Sequence, residues 1–305
     1  MRALQLFAFV TALLATRCTA QDQTQKTAPP PQRQPNIVMV LVDDMRWDDL
    51  RIAGHPFIDT PNLDRLAREG ARFTNAFATT PLCSPSRASF LTGQYAHTHG
   101  IIDNTARPSH DLRVFPLELQ RAGYRTGFFG KWHMGNDDRP RPGFDHWVAM
   151  PGQGQAIDPS LNVDGRRVDA KGYTTDLLTD YVEQFMDGPS DRPFLVYLAH
   201  KAIHPNVIQR DDGSVVPLPG QPGGFVAADR HRGRYAGRTM PRRANAFKPP
   251  LGKPALLRRI DDLPPLGPKI ATSDEEIRGR LEMLLAVDDL MPSAAAVRTA
   301  TRSGP

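Results

Sequence analysis

The sequence has 305 residues, 38 Lys and Arg against 33 Asp and Glu, and a formal net charge of +5. That length allows two domains or one large α/β domain with a sizeable core, and so dilute an excess of positive charge excludes a dedicated nucleic-acid binder. Two cysteines cannot build a disulfide scaffold, and 29 prolines forecast long irregular stretches.

Residues 1–20 read as an export signal. Arg2 opens it, an apolar run fills residues 3–15, and Cys18, Thr19 and Ala20 form a small-residue exit. The run is short for a bilayer span, and no later stretch is long enough either. The expectation is therefore an exported protein, periplasmic or secreted, with no membrane span. Residues 21–35 read as a disordered, Pro-rich leader. Cleavage after Ala20 would leave one cysteine, Cys83, and a lone thiol in an exported protein needs a reason.

Residues 36–42 (NIVMVLV) form a continuous apolar run that ends in Asp43 and Asp44, the pattern of a buried parallel strand with functional groups at its C-terminal end. Thr60, Pro61 and Gly70 bracket a helix as N-cap, first residue and terminator. Residues 71–78 suggest a further extended segment, 84–91 a short helix closed by Gly93, 115–122 a helix closed by Gly123, and 124–129 a strand. Residues 173–186 place Leu177, Leu178, Tyr181, Val182, Phe185 and Met186 on one helical face, and residues 194–199 (FLVYLA) form a second buried strand. The pattern then stops: residues 205–268 hold 11 Pro and 8 Gly, and a loop of that length is functional or poorly ordered. A helix resumes over 273–285, with Ser273 and Glu276 spaced as a capping box.

Strands that alternate with helices predict an α/β layered fold with a largely parallel central sheet flanked by helices. In such sheets ligands bind beyond the C-terminal strand ends. Three groups sit there: Asp43-Asp44, Lys131-Trp132-His133 and His200 through His204. Adjacent carboxylates at a strand end repel unless a cation or an arginine neutralises them. They are hard oxygen ligands for Ca²⁺ or Mg²⁺, and the alternative is a solvated turn pair.

The stretch 83–93 (CSPSRASFLTG) resembles the sulfatase signature C-x-P-S-R-x-x-x-L-T-G at every fixed position, and 130–135 (GKWHMG) resembles the second signature, G-K-W-H-x-G. The strand ending in Asp-Asp and the run 201–205 (KAIHP) are also similar to this family, and the resemblance covers residues 35 to 289. It implies the alkaline-phosphatase-like fold and the hydrolysis of an aryl or carbohydrate sulfate ester. It also implies that Cys83 is converted to formylglycine by a formylglycine-generating enzyme before folding. A hydrated aldehyde offers two hydroxyls on one carbon. One attacks sulfur and displaces the alcohol, and the other collapses the hemiacetal to expel sulfate.

By the same resemblance Arg87 and Lys131 are the cations that meet the sulfate. His133 hydrogen-bonds the formylglycine hydroxyl or acts as its base, and His204 is the general acid. Asp43, Asp44 and the modified Cys83 would hold the metal, with calcium preferred to magnesium.

The chain departs from the family in one respect. The later Asp-Asn-Gly or Asp-His-Gly that supplies further metal ligands is absent, and Asp288 and Asp289 do not replace it. The expectation is a sulfatase domain over 36–289 that lacks the C-terminal strands, with 205–268 as a substrate-side insertion and 290–305 as a tail unlike the family. Two other readings stay open. One is an inactive truncated homologue or a sulfated-glycan binder using Arg87, Lys131 and the Arg-rich stretch 230–243. The other is a phosphate or phosphonate monoester hydrolase of the same superfamily.

Overall fold

The computed structural model describes residues 34–105, 112–221, 223–244 and 273–300, with side chains as far as Met291. The expected export signal, all but the last two residues of the leader, and residues 222 and 245–268 of the proline-rich stretch lie outside the described residues. Among the described residues no helix is long and apolar enough to cross a membrane.

A six-stranded sheet organises the chain. Strands β1 (Ile37–Leu41), β2 (Arg125–Lys131), β3 (His146–Met150), β4 (Ser160–Val163), β5 (Arg166–Asp169) and β6 (Phe194–Ala199) are ordered β1-β6-β2-β3-β4-β5. The pairs β1–β6, β6–β2 and β2–β3 are parallel, and β4 and β5 add an antiparallel edge. A second, two-stranded sheet joins β7 (Val207–Gln209) to β8 (Val215–Pro217). Helices α1 (Pro61–Glu69), α2 (Cys83–Thr92), α3 (Ala96–His99), α4 (Phe115–Arg121), α5 (Thr174–Asp187) and α6 (Asp274–Ala300) complete the described elements, with a short 3₁₀ turn at Arg51–Ala53.

Central parallel strands are buried on both faces and so need apolar residues on both. All six residues of β6 are buried. Val196 and Leu198 join Phe129, Leu178 and Phe185 in one core cluster, while Tyr197 and Ala199 join Phe128, Trp132 and Trp147 in another. Helix α5 covers the first face through Leu178 and Val182, and α2 covers the second through Ala88 and Leu91. The α/β layering expected from the alternation of elements is present.

Several local expectations need correction. β1 is half-buried along its whole length, not fully buried, because it is the edge strand and pairs only with β6 among the described residues. Residues 71–78 form no strand; all are exposed, Phe73 and Phe77 included, and no partner strand is offered to them among the described residues. Thr60 precedes α1 without a side-chain cap. The carboxylate of Asp288 does that work from α6, accepting from the backbone of Leu63 at 2.8 Å and of Asn62 at 3.3 Å. At α6 the capping box is in place: Glu276 N–H donates to Ser273 Oγ at 3.1 Å, and Ser273 N–H donates to Glu276 Oε2 at 2.8 Å. This helix runs on past Leu285, and Leu290 and Met291 pack into the core.

Candidate active site

The C-terminal ends of β1, β6 and β2 converge with the N-terminus of α2. Both β1 and β2 leave the sheet through non-glycine residues of positive φ, Asp44 at 56° and His133 at 52°. Such conformations cost free energy and gather at functional sites. Gly130, opposite Ala199 in the β2–β6 register, has φ of +115°, and a Cβ there would lie 2.0 Å from the Ala199 carbonyl oxygen. Only glycine lets β2 approach β6 this closely just before Lys131.

Cys83 is the first residue of α2, where unpaired backbone N–H groups and the helix dipole favour an anion. Its neighbour Ser84 ties the helix start to two other segments: its N–H donates to Asn104 Oδ1 at 3.0 Å and its hydroxyl to the His133 carbonyl. Arg87, one turn on and 4% exposed, does not reach back over Cys83 alone. Its guanidinium donates to the carbonyls of Lys131 and His200 and lies 3.5 Å from Asp43 Oδ2, so it fastens α2 to three strand ends.

Asp43 is buried and accepts a hydrogen bond from Lys131 Nζ. Burial alone would raise its pKa, but Lys131 and Arg87 outweigh that and hold the carboxyl well below the usual range. Asp44 behaves oppositely: burial and the Asp43 charge raise its pKa, although its side chain is 46% exposed. Ligand atoms of Asp43, Cys83 and His204 lie within 4.8 Å of one another. Asp44 stands outside that trio, its carboxylate 3.9 Å from His204 Nε2. His204 Nδ1 donates to the Pro205 carbonyl at 2.9 Å, which leaves Nε2 as the free nitrogen toward the acids. Burial and then Lys131 depress its pKa to about 3, so it is neutral at pH 7.

His133 bonds elsewhere. Its Nε2 lies 2.9 Å from Gln209 Oε1. Burial, then Lys131 and Arg87, lower its pKa to about 2. One cation was not foreseen as a site residue. Lys201 is 2% exposed and donates to the Pro205 carbonyl, and burial with nearby Lys131 lowers its pKa to about 7. It lies in the same run as His204, which was its sequence signal; Asn104, Gln153 and Gln209 had none. A cleft of about 410 Å³ opens over Asp43, Asp44, Cys83, Ser86 and Arg87. The surroundings suit an anion, with a helix N-terminus and buried Arg87, Lys131 and Lys201 set against two carboxylates.

The family profile described as Sulfatase matches residues 35–293. The chain belongs to the sulfatase family. It is 32% identical over 297 residues to an N-acetylglucosamine-6-O-sulfatase of Bacteroides thetaiotaomicron, covering 92% of this chain and 48% of that protein. It is 39% identical over 133 residues to the N-acetylgalactosamine-6-sulfatase of Homo sapiens, covering 38% of this chain and 26% of that one. A structure solved with its substrate D-glucosamine-2-N,6-O-disulfate superposes with a TM-score of 0.71 at 26% identity, over 88% of this chain and 63% of that one. This sulfatase thus spans about half the length of the bacterial relative. Its fold is the alkaline-phosphatase-like α/β fold that the two signatures implied.

The donor set of Asp43, Cys83 and His204 fits a metal ion, and its character depends on residue 83. With a thiolate there, carboxylate, sulfur and imidazole suit a borderline ion such as zinc. An oxygen at that position shifts the set toward the hard ligands that calcium and magnesium prefer.

Proposed function

We propose that this sulfatase hydrolyses a sulfate ester of a carbohydrate, with a 6-O-sulfated amino sugar as the first substrate to try. The observation that carries the reading is Cys83 at the first turn of α2, inside its complete signature and within reach of Asp43 and His204. The amino-sugar choice rests on the relatives, two of them 6-sulfatases and one structure holding a 6-O-sulfated glucosamine.

Formylglycine at position 83 would supply the geminal hydroxyl that attacks sulfur and the second hydroxyl that releases sulfate. Asp43 and residue 83 would hold calcium there, with Asp44 joining them by turning in its exposed carboxylate from outside that set, and the metal would polarise an oxygen beside the nucleophile. The remaining work belongs to the chain's own side chains. Lys131 binds a sulfate oxygen as a point charge, and Arg87 holds α2 against the strand ends so that residue 83 keeps its place. His133, neutral at working pH, takes the proton released when residue 83 is deprotonated. His204 directs Nε2 toward the leaving oxygen; as general acid it must gain a proton there, which an anionic substrate beside it favours. Residues 1–20 would route the chain out of the cytoplasm, and N-terminal sequencing of the exported protein should then begin at Gln21.

The test is sulfate release from N-acetylglucosamine-6-sulfate and from a chromogenic aryl sulfate by protein made together with a formylglycine-generating enzyme. Turnover should vanish in Cys83→Ala and after chelation, and return with added calcium after chelation only. An intact thiol at residue 83 in the mass spectrum of active protein would overturn the mechanism. Salt-sensitive binding of a sulfated polysaccharide without turnover would instead favour a glycan-binding role.

A further inference from the structure

Behind Lys131 and His133 lie two buried glutamines whose roles the reaction has not yet used. Gln153 follows β3 and is 3% exposed; Gln209 ends β7 and is 5% exposed. Lys131 Nζ donates to Gln153 Oε1. Gln153 Nε2 donates to Gln209 Oε1 at 2.9 Å, and the same oxygen lies 2.9 Å from His133 Nε2. Gln209 Nε2 donates to the Asn104 carbonyl, while Asn104 Oδ1 accepts from Ser84 N–H at 3.0 Å.

The orientation of both amides follows from the partners that have no choice. An ammonium only donates, so the atom of Gln153 facing Lys131 must be its oxygen. Its nitrogen then faces Gln209, which must present oxygen in turn. At the other end the Asn104 carbonyl only accepts, so Gln209 must offer it nitrogen. Both ends thus impose the same polarity. Reversing it would set a donor against a donor at Lys131 and an acceptor against an acceptor at Asn104, leaving a buried polar group unpaired at each end. The Gln209 oxygen can meet His133 Nε2 only if that nitrogen carries the proton. Nδ1 of His133, buried and without a hydrogen-bond partner among the described residues, is then the nitrogen with the lone pair.

We propose that Gln153 and Gln209 are positioning residues that lock His133 in the tautomer protonated at Nε2, leaving Nδ1 as its basic nitrogen, and that hold the Lys131 ammonium in register with it. The catalytic consequence rests on the hydrolase reading above; the tautomer does not. One hydrogen-bond chain couples the cation that meets the sulfate to the base that takes the proton, and the β7 segment closes it from a part of the sequence with no legible pattern.

The experiment is nitrogen-15 NMR of the full chain labelled at histidine, with His133 assigned by the signal lost in His133→Asn. The proposal expects Nε2 protonated and Nδ1 bare in the unaltered protein, and a mixture of tautomers in Gln209→Leu. Gln209→Glu keeps an oxygen toward both donors and should keep the proton on Nε2, although its second oxygen loses the hydrogen bond to the Asn104 carbonyl. In the sulfatase assay Gln209→Leu should lose about tenfold to hundredfold in kcat with KM little changed, as loss of a partner orienting a catalytic histidine does, and Gln209→Glu should lose less. A His133 protonated at Nδ1 in the unaltered protein would overturn the proposal, whether or not the variant folds. So would an unchanged tautomer in Gln209→Leu. Absence of sulfate release from the unaltered protein would count against the hydrolase reading alone, since the tautomer is measured without turnover.

Discussion

Strands β1 and β2 both deliver charged residues to the crevice, and both turn out of the sheet at a left-handed residue. Their surroundings differ. β2 is buried over all residues but its first, lies between β6 and β3, and ends in a lysine with no exposed surface. β1 is half-exposed throughout, has one neighbour among the described residues, and leads into Asp44, whose side chain is 46% exposed. The cationic half of the crevice is therefore built into the most deeply buried strands, where charges act at low effective dielectric. The half that carries the paired carboxylates is built on the half-buried edge strand, where local opening costs less. Lys131 bridges the two by donating to Asp43, so the acid on the weaker strand is held by the stronger one.

The sharpest way to break this contrast is to cut the bridge. Lys131→Met leaves Asp43 buried with Arg87, at 3.5 Å, as its remaining salt-bridge partner among the described residues. Stability should fall by about 3–5 kcal/mol, as for a buried pair deprived of one partner, and turnover by about 100-fold to 1,000-fold from the lost oxyanion contact. Denaturant titration and sulfate release measure the two effects separately. A smaller effect compares the strands directly. Leu198 in β6 is 1% exposed, whereas Leu41 in β1 is only partly buried. Leu198→Ala should cost about 3 kcal/mol, in the range for buried leucines, and Leu41→Ala about 1 kcal/mol, in proportion to the apolar area it removes from water. Equal losses in urea unfolding would show β1 to be as well packed as the centre.

A third test concerns pH. Both ring nitrogens of His200, just after β6, are buried without hydrogen-bond partners among the described residues, and burial lowers its pKa to about 4. An unfolded histidine takes up its proton near pH 6.5. Below that pH the unfolded chain binds more protons than the folded one, so stability falls with pH. The His200 contribution is complete above pH 6.5, is lost down to about pH 4, and then levels off; that of His133 continues toward its value of about 2. His200→Leu should flatten the dependence of the urea midpoint on pH between 6.5 and 4.

What the sequence disclosed and what it hid divide along physical lines. Features governed by neighbours in the chain were legible: the start of α2 around Cys83, the apolar run of β6, and the Ser273–Glu276 box. Position within the sheet was not, because an apolar heptad reads alike at the centre and at an edge, and β1 lies at the edge. Thr60 is the N-cap residue of α1, as the sequence indicates, but the side chain that satisfies the helix start is Asp288, remote in sequence and invisible to any local rule. Within the site, Cys83, Arg87, Lys131, Asp43, Asp44 and His204 announced themselves through charge or motif. Gln153 and Gln209 did not, since a neutral amide becomes informative only when its partners are known.

The register of β1 sets a timetable for synthesis. Ile37 pairs with Leu195, and the Arg87 guanidinium is seated partly by the carbonyl of His200. Helix α2 therefore cannot settle into its final place when residue 83 is made; it must wait until β6 has followed. At about 5–20 residues per second that interval is roughly 5–25 s. Throughout it Cys83 belongs to a nascent segment without its final walls. Parallel pairing between distant strands is slow, so the crevice around Cys83 is among the later parts of the molecule to close.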